Sequence, residues 1–283
     1  MKTVLLTLLL WLNTAGAWAS FPDAAGTYPF GVLNQRSLAL TAEYWNPILR
    51  YVSAKSGVPL ALRIARTANE TTDLAARGEL AFVYSNHFFT PKRDKLGFRV
   101  LARQDGDGIR GQIVVADDSP IRTLENLASQ AVAFANPFAM AGYFVPMDRL
   151  LKSGVHVQPV FAGNQEAAMA MLKINKVVAA GVNNQVMADF GRREGFRYRV
   201  LYESEPYLDL AVMAHPQVPN AVNDKIRAAF SGMMADPEGR TLLIAAAAML
   251  KQVKLRGFVP ADDRDYDNYR RFFHHTQVPL DEQ

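Results

Sequence analysis

Short apolar runs alternate with longer segments of helical periodicity along most of the chain, and this alternation is the feature that most constrains the fold. Runs such as residues 80–84, 131–135 and 178–182 have the length of buried strands, whereas the segments between such runs have the apolar spacing of helices. This pattern predicts mostly parallel sheets that are joined by right-handed helical crossovers. The runs are too numerous for one small sheet, so we expect two α/β lobes.

The two predicted lobes divide the chain unequally. Residues 20–116 together with 206–283 are assigned to lobe 1, and residues 117–205 form lobe 2, which is inserted into lobe 1. The extended segments at residues 116–119 and 204–209 are the expected crossings between them. The predicted fold is therefore a two-lobed α/β protein in which each lobe is a mostly parallel sheet flanked by helices.

The N-terminus has the pattern of a secretory signal peptide. Lys2 gives a small positive region, residues 4–12 form an apolar core, and Ala17 and Ala19 satisfy the small-x-small cleavage rule. We expect residues 1–19 to be removed by cleavage after Ala19. The apolar core is shorter than the ~20 residues that a membrane helix needs, and no later segment approaches that length. We therefore expect a soluble mature protein in the periplasm.

The composition argues against several classes of function. The chain has no cysteine, which excludes a thiol enzyme, a disulfide framework and a lipid anchor on an N-terminal cysteine. Its five histidines show no metal-ligand spacing, and there is no G-x-S-x-G elbow or glycine-rich phosphate loop. The formal charge of +4 comes from interspersed acidic and basic residues rather than from a basic stripe. We therefore predict no enzyme activity, no cofactor, no metal and no nucleic-acid partner.

Amide side chains recur where predicted strands end. In an open parallel sheet, ligands meet the protein at the carboxyl ends of the strands, and an amide can bind a polar ligand without burying a net charge. Asparagine is also a preferred helix N-cap, so each position could be a cap, a ligand contact or both. We expect Asn164 to start a helix and Gln165 to point from its first turn into a cleft. The junctions are Asn34-Gln35, Asn86-His87, Asn136, Asn164-Gln165 and Asn183-Asn184.

Aromatic residues accompany these junctions, as is typical of a ligand cleft, although each could equally belong to the core. The nearby aromatics are Tyr44, Trp45, Tyr84, Phe88, Phe89, Phe138 and Tyr143. The hydroxyls of Tyr84 and Tyr143 need a polar partner, which favours these two residues as ligand contacts. The complete candidate ligand-binding set is Asn34, Arg36, Tyr84, Asn86, His87, Asn136, Phe138, Tyr143, Asn164, Gln165 and Asn183.

Four segments resemble the periplasmic phosphate/phosphonate/phosphite-binding proteins that serve ABC transporters. These segments are FGVLNQRS with YWNPILRYVSAKSGVPLAL, ARGELAFVYSNHFF, RTLENLASQAVAFANPFAMAGYFVPMDRLLKSGV, and FAGNQEAAMAMLKINKVVAAGVNNQ. The resemblance spans most of the mature chain. It implies a type II, Venus-flytrap fold and a periplasmic solute-binding protein that holds a small polar or anionic ligand between its lobes.

The sequence departs from that family at the anion-binding motif. A helix is predicted over residues 138–152, and its start carries Ala139, Met140, Ala141 and Gly142 where the family has a hydroxyl-rich S-T-S-G turn. Gln165-Glu166 stands where the family often has His followed by an acidic residue. Val178 stands where the family often has an Asp after a G-x-V segment. Each lost hydrogen bond to a charged group is worth about 1.5–3 kcal/mol. We therefore expect a ligand that is less charged than a phosphonate, or larger.

Three roles are compatible with these features. The leading one is the solute-binding protein of an ABC transporter, a monomer whose partners are its ligand and a membrane permease. The alternative is a periplasmic sensor that acts with a membrane histidine kinase or a chemoreceptor. A third possibility is an exported enzyme on the same scaffold. The sequence does not distinguish the first two roles, because they differ only in the membrane partner.

Overall fold

The computed structural model describes residues 21–252 and 254–280. The predicted signal peptide lies outside this part of the chain. The strands are β1 (Tyr28–Val32), β2 (Leu60–Arg63), β3 (Phe82–Ser85), β4 (Arg99–Gln104), β5 (Gly111–Ala116), β6 (Ala131–Phe134), β7 (Gln158–Phe161), β8 (Ala179–Asn183), β9 (Tyr198–Glu203), β10 (Ala211–Ala214) and β11 (Phe258–Pro260). The helices are α1 (Leu38–Ser56), α2 (Ala68–Ala76), α3 (Pro91–Asp94), α4 (Val145–Lys152), α5 (Gln165–Lys173), α6 (Asn184–Glu194), α7 (Asn220–Gly232), α8 (Pro237–Met249) and α9 (Asp267–His275).

The strands form two separate sheets, as the two-lobe prediction requires. The sheet of lobe 1 has six strands in the order β11-β4-β10-β3-β1-β2, and the sheet of lobe 2 has five in the order β7-β6-β8-β5-β9. Helices α1 and α7 pack on lobe 1, where the Phe30 ring lies 5.6 Å from Trp45 and 6.0 Å from Phe230. Burying a ring of this size stabilises the fold by about 1.5–3 kcal/mol. The two-lobed α/β prediction is confirmed.

Both sheets are mixed rather than mostly parallel, which corrects one part of the prediction. Strand β1 pairs in parallel with β2 and β3, but β10 pairs antiparallel with β3 and β4. Strand β6 pairs in parallel with β7 and β8, but β5 pairs antiparallel with β8 and β9. Strands β5 and β10 each begin where the chain has just crossed between lobes, without the helix that a parallel crossover needs.

The boundary between the lobes lies earlier than predicted. The sequence pattern places strand β5 in lobe 1, but this strand pairs with β8 from Gly111 opposite Asn183 to Val114 opposite Ala180 and so belongs to the sheet of lobe 2. The first crossing is therefore at residues 105–110, not 116–119. The second crossing, predicted at residues 204–209, lies beside it. The two segments pair at Ile109 and Tyr207, whose N–H groups donate to each other's carbonyls at 2.6 and 2.8 Å.

The predicted helix over residues 138–152 begins later and in a different form. A π-helical turn at Met140–Phe144 precedes α4. The N–H of Phe144 donates to the Ala139 carbonyl at 3.0 Å, a bond that spans five residues. Pro146 has no N–H to offer at the start of α4, which explains why regular α-helical bonding is interrupted there. This turn begins at the edge of the interlobe cleft.

The C-terminal segment contacts lobe 2 as well as lobe 1. Phe273 of α9 lies 5.0 Å from Phe144, ring centre to ring centre. The Asp148 carboxylate accepts hydrogen bonds from the Thr276 hydroxyl at 3.0 Å and the Gln277 N–H at 2.8 Å. None of the described helices is both long and apolar enough to cross a bilayer.

Candidate ligand-binding cleft

A cleft between the lobes contains two adjoining chambers. The first, which we call the amide chamber, includes about 350 Å³ of space, part of which is open to solvent. Its polar lining consists of Asn34, Gln35, Asn86 and His87 from lobe 1 and Asn136, Gln165 and Asn183 from lobe 2. Five strand-end segments that are far apart in the sequence therefore meet at one place.

The second chamber, which we call the charged chamber, includes about 560 Å³ of space, part of which is also open to solvent. Its ionisable lining consists of Arg36, Asp189, Asp209 and Arg256, and its aromatic wall of Tyr44, Trp45 and Tyr84. Leu33, Gln35 and Asn183 line both chambers, so the two spaces adjoin at these residues.

Two asparagines of lobe 1 present acceptor oxygens to the amide chamber. The Asn34 amide NH₂ donates to the Ala65 carbonyl at 2.6 Å, and its buried Oδ1 has no partner among the described residues. The Asn86 NH₂ donates to the Tyr269 hydroxyl at 3.3 Å. That hydroxyl donates its own proton to the Leu208 carbonyl and can only accept from Asn86. Both amides are therefore fixed with nitrogen toward the protein, which leaves their oxygens for a ligand.

His87 adds a third acceptor from lobe 1. Its Nδ1 lies 2.9 Å from the Thr72 hydroxyl, which donates its proton to the Ala68 carbonyl at 3.0 Å. Nδ1 must therefore carry the imidazole proton, and Nε2 is left as an acceptor. Burial, with a contribution from Arg93, holds the pKa of His87 well below its usual value. The ring is accordingly neutral at physiological pH.

The side chains of lobe 2 present donors instead. The Asn136 Oδ1 accepts from the Phe138 N–H at 2.9 Å, and the Gln165 Oε1 accepts from the Asn183 N–H at 3.1 Å. The Asn183 Oδ1 accepts from the Gln185 N–H at 2.9 Å, as the cap of α6. Each oxygen is thus occupied by a backbone N–H, and the NH₂ groups have no partner among the described residues. The amide chamber therefore has acceptors on its lobe 1 side and donors on its lobe 2 side.

The turn that replaces the hydroxyl-rich motif also borders this chamber. Ala139, Met140 and Ala141 line it and offer no hydroxyl. A Cβ on Gly142 would lie only 2.1 Å from Nε2 of Gln165. The glycine therefore makes room for the Gln165 amide against the start of the π-helical turn.

The charged chamber has a balanced set of charges. Arg36 of lobe 1 faces Asp189 of lobe 2 at 3.6 Å, and Arg256 lies 3.9 Å from Asp209. Burial raises the pKa of both carboxyl groups, and the neighbouring guanidinium groups oppose this shift. The buried Nε of Arg36 has no partner among the described residues. Two cations and two anions leave no net positive charge to attract a dianion.

The remaining candidate residues lie elsewhere. Arg36 and Tyr84 line the charged chamber. Phe138 and Tyr143 line a separate cavity. Asn164 caps α5 by accepting from the Ala167 N–H at 2.8 Å, as expected, but it lines neither chamber. Gln165 follows it into the amide chamber, also as expected.

Sequence reasoning missed the acidic residues of the cleft. Asp189 lies in the second turn of α6, shortly before Arg192 and Arg193, and Asp209 lies two residues before β10. The position of Asp209 at the end of the second interlobe crossing was the available signal, since crossings border the cleft.

Comparison of the sequence with known protein families gives one match that covers most of the chain. The model of a family described as "ABC transporter, phosphonate, periplasmic substrate-binding protein" matches residues 30–266. The chain belongs to this family. Members of this phosphonate-binding family are periplasmic components that bind substrates for membrane transport rather than transform them, so a small-molecule ligand and a membrane permease are the expected partners.

Several solved structures share the fold of this chain at low sequence identity. PhnD1 from Prochlorococcus marinus, in complex with methylphosphonate, superposes with a TM-score of 0.73 at 15% identity, covering 88% of this chain and 97% of the other. The binding protein component of an ABC phosphonate transporter from Pseudomonas aeruginosa gives 0.72 at 16% identity, covering 87% and 85%. A Xanthomonas citri protein bound to ATP gives 0.64 at 18% identity, covering 88% and 96%. No curated protein matches the sequence.

Proposed function

We propose that this substrate-binding protein holds, in the amide chamber, a small neutral or zwitterionic molecule rather than a phosphonate dianion. The observation that carries the proposal is the fixed orientation of the amides. Asn34, Asn86 and His87 present acceptors from lobe 1, whereas Asn136, Gln165 and Asn183 present NH₂ donors from lobe 2. A fitting ligand donates hydrogen bonds on one side and accepts them on the other.

A dianionic phosphonate would fit this arrangement poorly. Its oxygens would meet the Asn34 oxygen and the neutral imidazole of His87 on one side. On the other side, the turn at residues 139–142 offers no hydroxyl. An acceptor that faces another acceptor loses a hydrogen bond and leaves a buried polar atom unsatisfied, which costs about 1–3 kcal/mol for each group.

The ligand would stabilise closure of the two lobes by touching both of them. The chain crosses between the lobes at the two segments that pair at Ile109 and Tyr207, and these crossings would act as the hinge. A ligand favours the closed form only by its differential affinity for that form, and donors and acceptors from opposite lobes provide this difference.

The direct test is a thermal-shift screen followed by calorimetry. The compounds are methylphosphonate, phosphate, amino acids, carboxamides and polyols, and each amine is compared with its N-methylated analogue. A ligand at 100 times its dissociation constant should add about 2.7 kcal/mol of stability. We expect the best ligand to carry donors and to lose affinity on N-methylation. Tight binding of methylphosphonate, with all donor-bearing compounds inactive, would refute the proposal.

Transport is the role that family membership supports, and a sensor kinase or chemoreceptor is the alternative partner. The two differ in what recognises the closed, ligand-bound form. We propose that a monomer presents this form to an ABC permease. Chemical crosslinking of the exported protein in its own cells should capture permease subunits, whereas capture of a histidine kinase alone would favour sensing. Light scattering would measure the oligomeric state.

A further inference from the structure

Phe138 separates the amide chamber from another cavity, which we call the aromatic pocket. The pocket includes about 590 Å³ of space, part of which is open to solvent, and its main lining residues are Arg93, Phe138, Tyr143, Phe144, Phe161 and Leu280. The Phe138 ring lies 6.2 Å from the ring of His87, which lines the amide chamber. The aromatic pocket is thus a neighbour of the cleft, but it has its own walls.

The walls suit a flat or narrow apolar group. The rings of Tyr143 and Phe161 lie 5.0 Å apart at 72°. Phe161, at the end of β7, is 44% exposed, which is unusual for a large aromatic side chain. An apolar group that covered this ring and the part of Phe138 that is still exposed would remove aromatic surface from water, which is favourable.

Two cations line this pocket, the exposed Lys92 and the partly buried Arg93. The guanidinium carbon of Arg93 lies 3.9 Å from the centre of the Phe138 ring. No carboxylate of the described residues lies within ion-pair distance of Arg93, whereas Arg193 and Arg270 each have such a partner. Burial lowers the pKa of Arg93, and Asp73 opposes that shift.

The Arg93 guanidinium makes no hydrogen bond to the described residues, to which Arg93 donates only through its backbone N–H, at the Thr90 hydroxyl. A guanidinium that places its planar face on a ring keeps its N–H donors in the plane, where they can bind both oxygens of a carboxylate. A partly buried cation without an anion is unfavourable, and an anionic ligand would relieve this cost.

We propose that the aromatic pocket binds a small amphipathic monoanion, namely a carboxylate attached to an aromatic ring or a short hydrocarbon chain. The carboxylate pairs with Arg93, and the apolar body lies against Phe138 and Phe161. Arg93 belongs to lobe 1 and the two phenylalanines to lobe 2, so the occupant bridges the lobes and stabilises their closed arrangement. Fully polar anions such as phosphate gain nothing from the aromatic walls and bind more weakly.

The test uses phenylacetate and hexanoate as probes in calorimetry on the full chain. Phenylacetamide has the same shape as phenylacetate without the charge, and phosphate has charge without the apolar body. We expect phenylacetate to bind in the millimolar range or tighter, and phenylacetamide and phosphate to bind at least about tenfold more weakly. No binding of either carboxylate, or equal binding of the amide, overturns the proposal.

Two variants locate the site. Arg93→Gln removes the charge and should weaken phenylacetate binding at least about tenfold, while Phe161→Ala should weaken it several-fold through lost apolar contact. Arg240→Gln, at an exposed position of α8, is the matched control and should leave the affinity unchanged. If Arg93→Gln and Arg240→Gln bind phenylacetate equally well, the anion binds elsewhere and the assignment is wrong.

Discussion

The Glu166 carboxylate, in the first turn of α5, accepts a hydrogen bond at 3.0 Å from the backbone N–H of Ser37, which belongs to the opposite lobe. The Glu166 N–H in turn donates to the Gln35 carbonyl at 3.0 Å. The guanidinium of Arg193 pairs with the other carboxylate oxygen. Ser37 caps α1, so this contact joins the starts of α1 and α5 beside the amide chamber. It stabilises the closed arrangement of the lobes.

Replacing Glu166 with alanine should therefore shift the protein toward an open form. The change removes a charge-assisted hydrogen bond between the lobes and should lower the closed-to-open ratio by about tenfold, after allowance for partial solvent access. Small-angle X-ray scattering would detect this as a larger radius of gyration. Glu79→Ala is the control, since the only ion pair of Glu79 with a described residue is with exposed Arg77. If both variants scatter like the unchanged protein, the contact does not hold the lobes together.

Asn164 and Asn183 form a matched pair of caps with different expected effects. Both caps accept backbone N–H groups, so alanine at either site should cost about 1 kcal/mol of unfolding free energy. Only Asn183 also lines the chambers, so only Asn183→Ala should lower ligand affinity. Urea denaturation and calorimetry measure the two quantities. Equal loss of affinity in both variants would contradict this division.

Gly142→Ala tests whether the position of Gln165 matters for binding. The added Cβ would lie 2.1 Å from Gln165 Nε2 and would displace that flexible amide from its bond to the Asn183 N–H. Stability should change little, because alanine also favours helical backbone by up to about 1 kcal/mol. Ligand affinity should fall. Gly232→Ala, where a Cβ meets nothing within 4 Å, should leave affinity unchanged.

Periodicity and strand length predicted most of the fold, because both reflect which side chains are buried. They could not predict that β5 and β10 run antiparallel to their neighbours, since the sequence of a strand does not specify which strand it pairs with. The interlobe boundary was misplaced for this reason: β5 has the composition of a central strand in either sheet. Strand β11, at the edge of lobe 1, is only three residues long and contains Pro260, so it gave no strand signal.

The expectation that ligands bind where strands end, here called the strand-end rule, correctly selected six side chains that line the amide chamber out of eleven candidates. They are Asn34, Asn86, His87, Asn136, Gln165 and Asn183. The rule works because strands of one sheet end along a shared edge. It also put Asn164 in the candidate set, although this residue caps α5 and only its neighbour Gln165 lines the amide chamber. The rule could not find Asp189, whose burial depends on Arg36 from the other lobe.

His87 should make the stability of the protein depend on pH. The pKa of His87 is lowered in the folded state. At a pH below about 6.5, the usual pKa of histidine, His87 therefore binds a proton in the unfolded chain but stays neutral in the folded protein. Stability should therefore fall as pH drops below that value, by at most about 1.4 kcal/mol per pH unit for one group. His215 acts in the same direction and remains in each variant. His87→Leu should reduce this slope in urea denaturation, whereas His275→Leu, at an exposed site, should not.

Restoring hydroxyls to the turn at residues 139–142 tests why this chain should discriminate against phosphonates. Ala139→Ser combined with Ala141→Ser adds two donors to the lobe 2 side of the amide chamber, while buried Met140 is kept. Calorimetry with methylphosphonate should show an affinity at least about tenfold above that of the unchanged protein, because hydrogen bonds to a charged group are strong. The acceptors Asn34 and His87 remain in lobe 1, so binding should stay weak in absolute terms. Ala235→Ser, at an exposed position, is the surface control. If the double variant gains nothing, the start of the π-helical turn does not face the ligand.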